Sequence, residues 1–163
     1  MLASLSVSNI VLIEQLTLDF EPGLTVLTGE TGAGKSILLD ALGLALGSRA
    51  DFGLIRQGSQ NAQVLALFQI SRSSPIWAVL EETGITPEDQ WTLRRRLRAD
   101  GKSTSSIHDV PVSVGLLRQV GDLLVEIQGQ FEGRGLLDTG THIALLDRAA
   151  GHHELLSELN QSW

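Results

Sequence analysis

The sequence predicts an α/β fold, a sheet with helices packed on it. Three observations carry that expectation. Short segments with alternating apolar and polar residues open the chain. A helical repeat follows directly on a glycine-rich loop, and further alternating segments precede helical stretches towards the end. The 163 residues are room for about one domain, and 42% apolar with 19% charged residues lies in the globular range, which excludes a disordered chain.

Taken in order, residues 2–7 set Leu2, Ser4 and Ser6 against Ala3, Leu5 and Val7, and residues 16–20 repeat the alternation, so both predict half-buried strands. Glu21, Pro22 and Gly23 predict a turn, and residues 24–28 predict a short buried strand of apolar and β-branched residues. From Lys35 to Leu46 the apolar residues Ile37, Leu38, Ala41, Leu42, Ala45 and Leu46 fall at helical spacing, with Gly47 as the stop. Residues 62–70 predict a strand and 75–82 a short helix closed by Gly84. Residues 91–98 and 103–108 predict a hairpin around Asp100 and Gly101. Residues 112–120 predict a helix, 123–127 a strand and 141–159 a long helix interrupted by Gly151.

Composition excludes several classes of function. No cysteine is present, which rules out a disulfide scaffold and a thiolate metal site and makes a reducing cytosol the default location. No stretch approaches about 18 consecutive apolar residues, and the first twelve residues lack Lys, Arg and an unbroken apolar run, so neither a membrane helix nor a secretory signal is expected. With 12 Lys+Arg against 19 Asp+Glu the net charge is −7, and the overall field does not attract nucleic acid. Any DNA contact needs a local basic patch or a partner. Aromatic content of 4% without Tyr argues against a stacking platform for single strands.

One motif carries chemistry. Gly29, Glu30, Thr31, Gly32, Ala33, Gly34, Lys35 and Ser36 fit G-x-x-x-x-G-K-[ST], between an expected strand and an expected helix. Glycines at 29, 32 and 34 let the backbone wrap closely. The resulting ring of amides, with the positive helix end, binds phosphate oxygens. Lys35 reaches the β- and γ-phosphates, and the Ser36 hydroxyl ligates Mg2+. The plainer reading, a glycine-rich turn that merely matches the pattern, is disfavoured by the flanking elements. Nucleotide binding follows; hydrolysis and the identity of the base do not.

Beyond the motif, residues 2–51, LASLSVSNIVLIEQLTLDFEPGLTVLTGETGAGKSILLDALGLALGSRAD, and residues 91–151 resemble the RecN family of bacterial SMC-like DNA repair ATPases. The resemblance implies an ABC/SMC-type head lobe with a mixed antiparallel and parallel sheet. It assigns residues 1–140 to the N-terminal half of the head and 141–163 to the start of a helix leading towards an absent coiled coil. It also implies ATP with Mg2+, a C-terminal half of the same head, a second head in a dimer, and DNA bound through the complete protein. A cytoplasmic location follows, associated with the nucleoid when acting on DNA, and no membrane partner.

Residue by residue, the resemblance carries the phosphate loop onto residues 29–36. It makes Arg56 the family arginine that reaches the nucleotide phosphates, the plainer reading being a surface loop arginine. A glutamine that ligates Mg2+ and orients the attacking water falls within residues 126–132. Gln130 matches the family position and Gln128 is the second choice, because Gln128 and Phe131 stand where the family tends to have His. The plainer reading is a polar strand end.

Hydrolysis in this fold needs a carboxylate after an apolar strand. No run of four apolar residues precedes an Asp-Glu pair, and no LSGGE-like segment occurs. The sequence thus reads as the N-terminal half of a head, binding ATP weakly if it folds alone and hydrolysing none. Half a head leaves sheet edges and apolar faces uncovered. The rivals are a small P-loop kinase acting on a metabolite, opposed by the strands ahead of the loop, and an inactive truncated remnant.

Two further clusters have plain readings. Arg94, Arg95, Arg96, Arg98 and Lys102 stand on the expected hairpin, with Arg94, Arg96 and Arg98 on one face and Arg95 with Leu97 on the other. Contact with DNA phosphates is one reading; a solvated edge strand that blocks pairing is preferred. His142, His152 and His153 lack zinc-helix spacing and read as solvated helix residues.

Overall fold

Period-two alternation can bury one face of a sheet only if neighbouring strands share the register. The computed structural model, which describes residues 1–28, 34–71, 74, 76–81, 85, 89–127, 146–147, 150 and 152, has that register. Six strands lie in the order β2-β1-β3-β4-β5-β6: β1 Leu2–Ile10, β2 Ile13–Asp19, β3 Asn61–Gln69, β4 Gln90–Arg98, β5 Ser103–Ile107 and β6 Val110–Val112. One row of paired residues runs Leu18, Leu5, Ala66, Leu93, Ile107 and Val110, and the next runs Leu16, Val7, Val64, Arg95, Ser105 and Val112. These rows make the inner face. The alternate rows, among them Thr17, Ser6, Leu65, Arg94 and Ser106, face outwards.

Helices cover the inner face. α1, Lys35–Ala45, packs on β1, β3 and β4; α2, Ile76–Glu81, packs on α3, Val114–Leu124, which lies against β5. The core joins Val7, Val64, Phe68, Trp91 and Leu93 of the sheet to Leu44 of α1 and to Leu117 and Val120 of α3. Trp91 meets Trp77 edge-on at 5.7 Å and His108 at 4.8 Å between ring centroids. The indole of Trp77 donates to the Ser71 carbonyl at 2.8 Å.

Termini follow local chemistry. α1 ends where Gly47 takes φ +89°, a conformation that costs a residue with a Cβ about 1–2 kcal/mol. There the Gly47 amide donates to Leu44 and the Ser48 amide to Gly43, the Schellman pattern. α3 starts at Ser113, whose Oγ accepts from the Leu116 amide at 3.1 Å. Ser113→Ala is expected to destabilise the domain by about 1 kcal/mol, read as a lower melting temperature. An unchanged melt would show that the cap contributes nothing.

Four expectations need correction. All five strand ladders are antiparallel, so the parallel part of the expected mixed sheet is not found among the described strands. Residues 24–28 are not a strand: they are exposed, Leu24 to 92% and Val26 to 69%, because apolar composition makes no strand without a neighbour to share its hydrogen bonds. Residues 123–127 are not a strand either. Leu123 and Leu124 close α3, whose buried positions 117, 120 and 121 continue the helical period. Finally, β4 is no edge strand; it is bonded to β3 on one side and β5 on the other. β6 is an element that the alternation did not reveal, being three residues long with Pro111 at its centre.

The chain divides into two compact units, Met1–Val125 and Glu126–Trp163. The expected helix at 141–159 lies largely outside the described residues; within the second unit His152 Nδ1 stands 3.1 Å from Asp147 Oδ1.

Candidate functional site

The phosphate-loop motif meets the fold at the first turn of α1. Gly34 is the N-cap residue, Lys35 is the first helical residue and half-buried, and Ser36 follows it, exposed. The first helical bond runs from the Leu38 amide to the Gly34 carbonyl at 3.1 Å. Among the described residues no side chain caps this end, and no acidic residue stands in its first turn. Two other helical starts differ: Ser113 caps α3, and Asp51 Oδ1 accepts from the Gly53 amide at 2.8 Å ahead of the 3-10 turn Phe52–Leu54. No described atom lies within 4 Å of where a Cβ would sit on Gly34. An uncapped helix start with a Lys, a Ser and no acid is chemically suited to a phosphate anion. Gly29, Glu30, Thr31, Gly32 and Ala33, which complete the motif, lie outside the described residues, as do Gln128 and Gln130.

Arg56 sits in the loop after the 3-10 turn. Its Nη1 donates to the Leu12 carbonyl at 3.0 Å and its Nη2 lies 3.6 Å from Glu14 Oε2. The Arg56 amide donates to Asn9, and Ile55 bridges to Ile10, so the loop is tied to the β1–β2 turn. Sequence reasoning missed both side-chain partners. Nothing local marks them, since Leu12 and Glu14 approach Arg56 only through the fold.

Arg95 is buried to 5% exposure on the inner face, as the alternation predicts. Its Nη2 donates to Ser103 Oγ at 3.1 Å, while its Nε has no partner. Burial lowers its pKa from the ordinary guanidinium value, because a desolvated cation is disfavoured.

Comparison with known proteins places the chain. A family model described as an AAA domain matches residues 4–110. The DNA repair protein RecN of Halalkalibacterium halodurans is 45% identical over 152 residues, covering 93% of this chain and 27% of that protein. The DNA repair protein RecN of Haemophilus influenzae is 37% identical over 166 residues, covering 100% of this chain and 30% of that one. The chain thus spans about a quarter to a third of the relatives it matches. Among solved structures, one reported under "Structural biochemistry of ATP-driven dimerization and DNA stimulated activation of SMC ATPases" superposes with a TM-score of 0.62 at 19% identity, over 96% of this chain and 97% of that one. No described helix is long and apolar enough to cross a membrane. With its helix start, its sheet and these likenesses agreeing, the chain belongs to the AAA domain family, as a RecN-like member with the P-loop NTPase fold of SMC heads.

Proposed function

We propose that the chain is the nucleotide-holding portion of a RecN-like ATPase that works in DNA double-strand break repair and recombination. The observation that carries this reading is the start of α1, where Gly34, Lys35 and Ser36 stand at a helix end that no described side chain caps. The loop of residues 29–34 would wrap the phosphates with backbone amides. The Lys35 ammonium would hold the β- and γ-phosphates, and Ser36 Oγ would ligate Mg2+, with Gln130, or failing it Gln128, as the second protein ligand. Mg2+, when bound, neutralises charge on the phosphate oxygens. Arg56 would turn from Leu12 and Glu14 to the phosphates; its pairing with Glu14, whose side chain is 80% exposed, opposes that little.

The exposed apolar residues Leu24, Val26 and Leu27, next to the motif, support a second lobe that completes the sheet: the C-terminal half of the same head. A second head in a dimer, DNA bound through the complete protein and a cytoplasmic, nucleoid-associated location belong to the same reading. The 37–45% identity to RecN proteins does not favour a metabolite kinase.

Calorimetric titration tests it. The chain, alone and mixed with a matching C-terminal half, is expected to bind Mg-ATP. Absence of heat with Mg-ATP and Mg-GTP in both samples would overturn the reading. Ser36→Ala is expected to weaken Mg-ATP about tenfold, the loss of one charge-assisted contact, while leaving Mg-free ATP unchanged. An equal loss with and without Mg2+ would remove Ser36 from the metal.

A further inference from the structure

The sheet ends in two unlike edges. β6 is three residues long with Pro111 at its centre, and both features discourage a further strand. At the other end β2, seven residues from Ile13 to Asp19, pairs among the described residues with β1 alone. Its sequence, IEQLTLD, holds no Pro, Gly, Lys or Arg, and it keeps one register with β1, so no bulge turns it away. Glu14 lies 3.6 Å from Arg56, and Asp19 closes the strand. The stretch between them, from Gln15 to Leu18, is uncharged. Leu16 and Leu18 stand at the margin of the inner face and are only half-buried. The direction of the main-chain groups follows from one hydrogen bond. The Phe20 amide donates to the Ala3 carbonyl at 2.8 Å, which makes Ser4 and Asp19 a non-hydrogen-bonded pair. By alternation Leu16 and Leu18 turn their amides and carbonyls to β1, while Gln15 and Thr17 turn theirs to the open edge.

We propose that this edge docks a second copy of the chain, β2 against β2, antiparallel about a two-fold axis at Leu16. Leu16 is the central residue of the seven, so the register centred on it is the one that pairs them all. A copy is the occupant because the strand complements itself. Gln15 faces Thr17 of the other copy, and these are residues whose main-chain groups turn outwards, so they exchange hydrogen bonds. Leu16 faces its own counterpart, Glu14 faces Leu18, and Ile13 faces Asp19. No like charges stand opposite one another in that register, and the central contact is apolar. The two inner faces meet at the leucines that one copy leaves half-buried. The contact is also closed. The far edge of each copy is β6 with its Pro111, so pairing stops at two copies instead of growing into a fibre. One strand pair is a small interface, and the dimer is reversible. It uses neither Lys35 nor Ser36 and needs no ATP, so it stands or falls apart from the nucleotide reading.

The test uses the 163-residue chain without nucleotide. The chain has no cysteine, so a single one reports the contact. Cα atoms of a non-hydrogen-bonded antiparallel pair lie about 4.5 Å apart, within reach of a disulfide. Leu16→Cys under mild oxidant is expected to give a covalent dimer. Leu18→Cys, displaced from its counterpart by about 14 Å along the strand, is expected to give none. Sedimentation of the unmodified chain is expected to show the mass rising with concentration from one copy to two and no further. Leu16→Lys sets two ammonium groups opposite each other and Leu16→Glu two carboxylates. Each is expected to raise the dissociation constant about tenfold or more, and the two variants mixed are expected to restore the dimer. Thr17→Pro removes an outward amide while leaving the ladder to β1 intact, and is expected to have the same effect should the charged variants not fold. A chain that stays monomeric at every concentration, equal crosslinking of the two cysteine variants, or growth past the dimer that Leu16→Lys leaves unchanged would each overturn the proposal. So would loss of the Leu16→Cys crosslink on adding the matching C-terminal half, which would give the edge to that lobe.

Discussion

Lys35→Ala is expected to raise the dissociation constant for Mg-ATP about 100- to 1000-fold, or about 3–4 kcal/mol, while moving the melting temperature by no more than about 1–2 °C. The size follows from position. Lys35 is the first residue of α1, half-buried, at a helix end where, among the described residues, no side chain caps and no acid stands in the first turn. The helix contributes about half a positive charge there, far too little to hold a triphosphate unaided. Removing the ammonium would leave the β- and γ-phosphates to the backbone amides, the Mg2+ and Arg56, without the cation nearest the helix end. The fold is expected to change little in stability, because alanine is the best helix former and the first turn of α1 lies outside its buried stretch, Ala41, Gly43, Leu44 and Ala45. Lys35→Arg is a sharper probe. It keeps the charge but replaces a compact ammonium by a planar fork, and is expected to recover only part of the affinity. Calorimetry of the three proteins checks both results. An alanine variant within threefold of wild type would show that Lys35 does not touch phosphate, and the nucleotide reading would fall with it.

What was legible in the sequence, and what was not, divides by the range of the physics involved. The start and stop of α1 were legible because a motif, a helical repeat and Gly47 all act within a few residues. The hairpin at Asp100 and Gly101 was legible for the same reason, and so was the split that sends Arg95 inwards and Arg94, Arg96 and Arg98 outwards. Strand order was not, since nothing in β4 itself says that β3 and β5 flank it, and the preferred reading of its arginines failed on that point alone. Residues 24–28 make the same case from the other side. Their composition suits a buried strand, but burial depends on a neighbour, and the described residues offer none. Gly34, Lys35 and Ser36 stand at the start of α1, as the helical repeat expects, whereas the holding of Arg56 by Leu12 and Glu14 depends on a turn more than forty residues away.

Gly121→Ala is expected to destabilise the domain by about 3 kcal/mol, lowering its melting temperature by about 10 °C. A single methyl group does this because α1 and α3 meet backbone to backbone. A Cβ on Gly121 would lie 2.5 Å from the Leu46 carbonyl oxygen and 2.9 Å from the Leu46 Cβ. One residue on, a Cβ on Gly47 would lie 2.5 Å from the Arg118 nitrogen. Each glycine is thus fitted against the other helix, and the obstacle is main chain rather than the flexible tip of a side chain. Gly115→Ala is the control. It is on α3 too, but exposed, and its Cβ would come no closer than 3.8 Å to Ser113 Oγ. There the added methyl is expected to be neutral or to stabilise by about 0.5–1 kcal/mol. The contact matters to the site because α1, 11 residues and so about 16 Å long, carries Lys35 and Ser36 at one end and is gripped by α3 at the other. Loosening that grip tilts the end that would meet phosphate, so Gly121→Ala is also expected to weaken Mg-ATP binding several-fold at temperatures where the domain is still folded, and Gly115→Ala is not. Equal melting temperatures for the two alanine variants would show that the helices part without cost, and that the position of Lys35 is set by the motif alone.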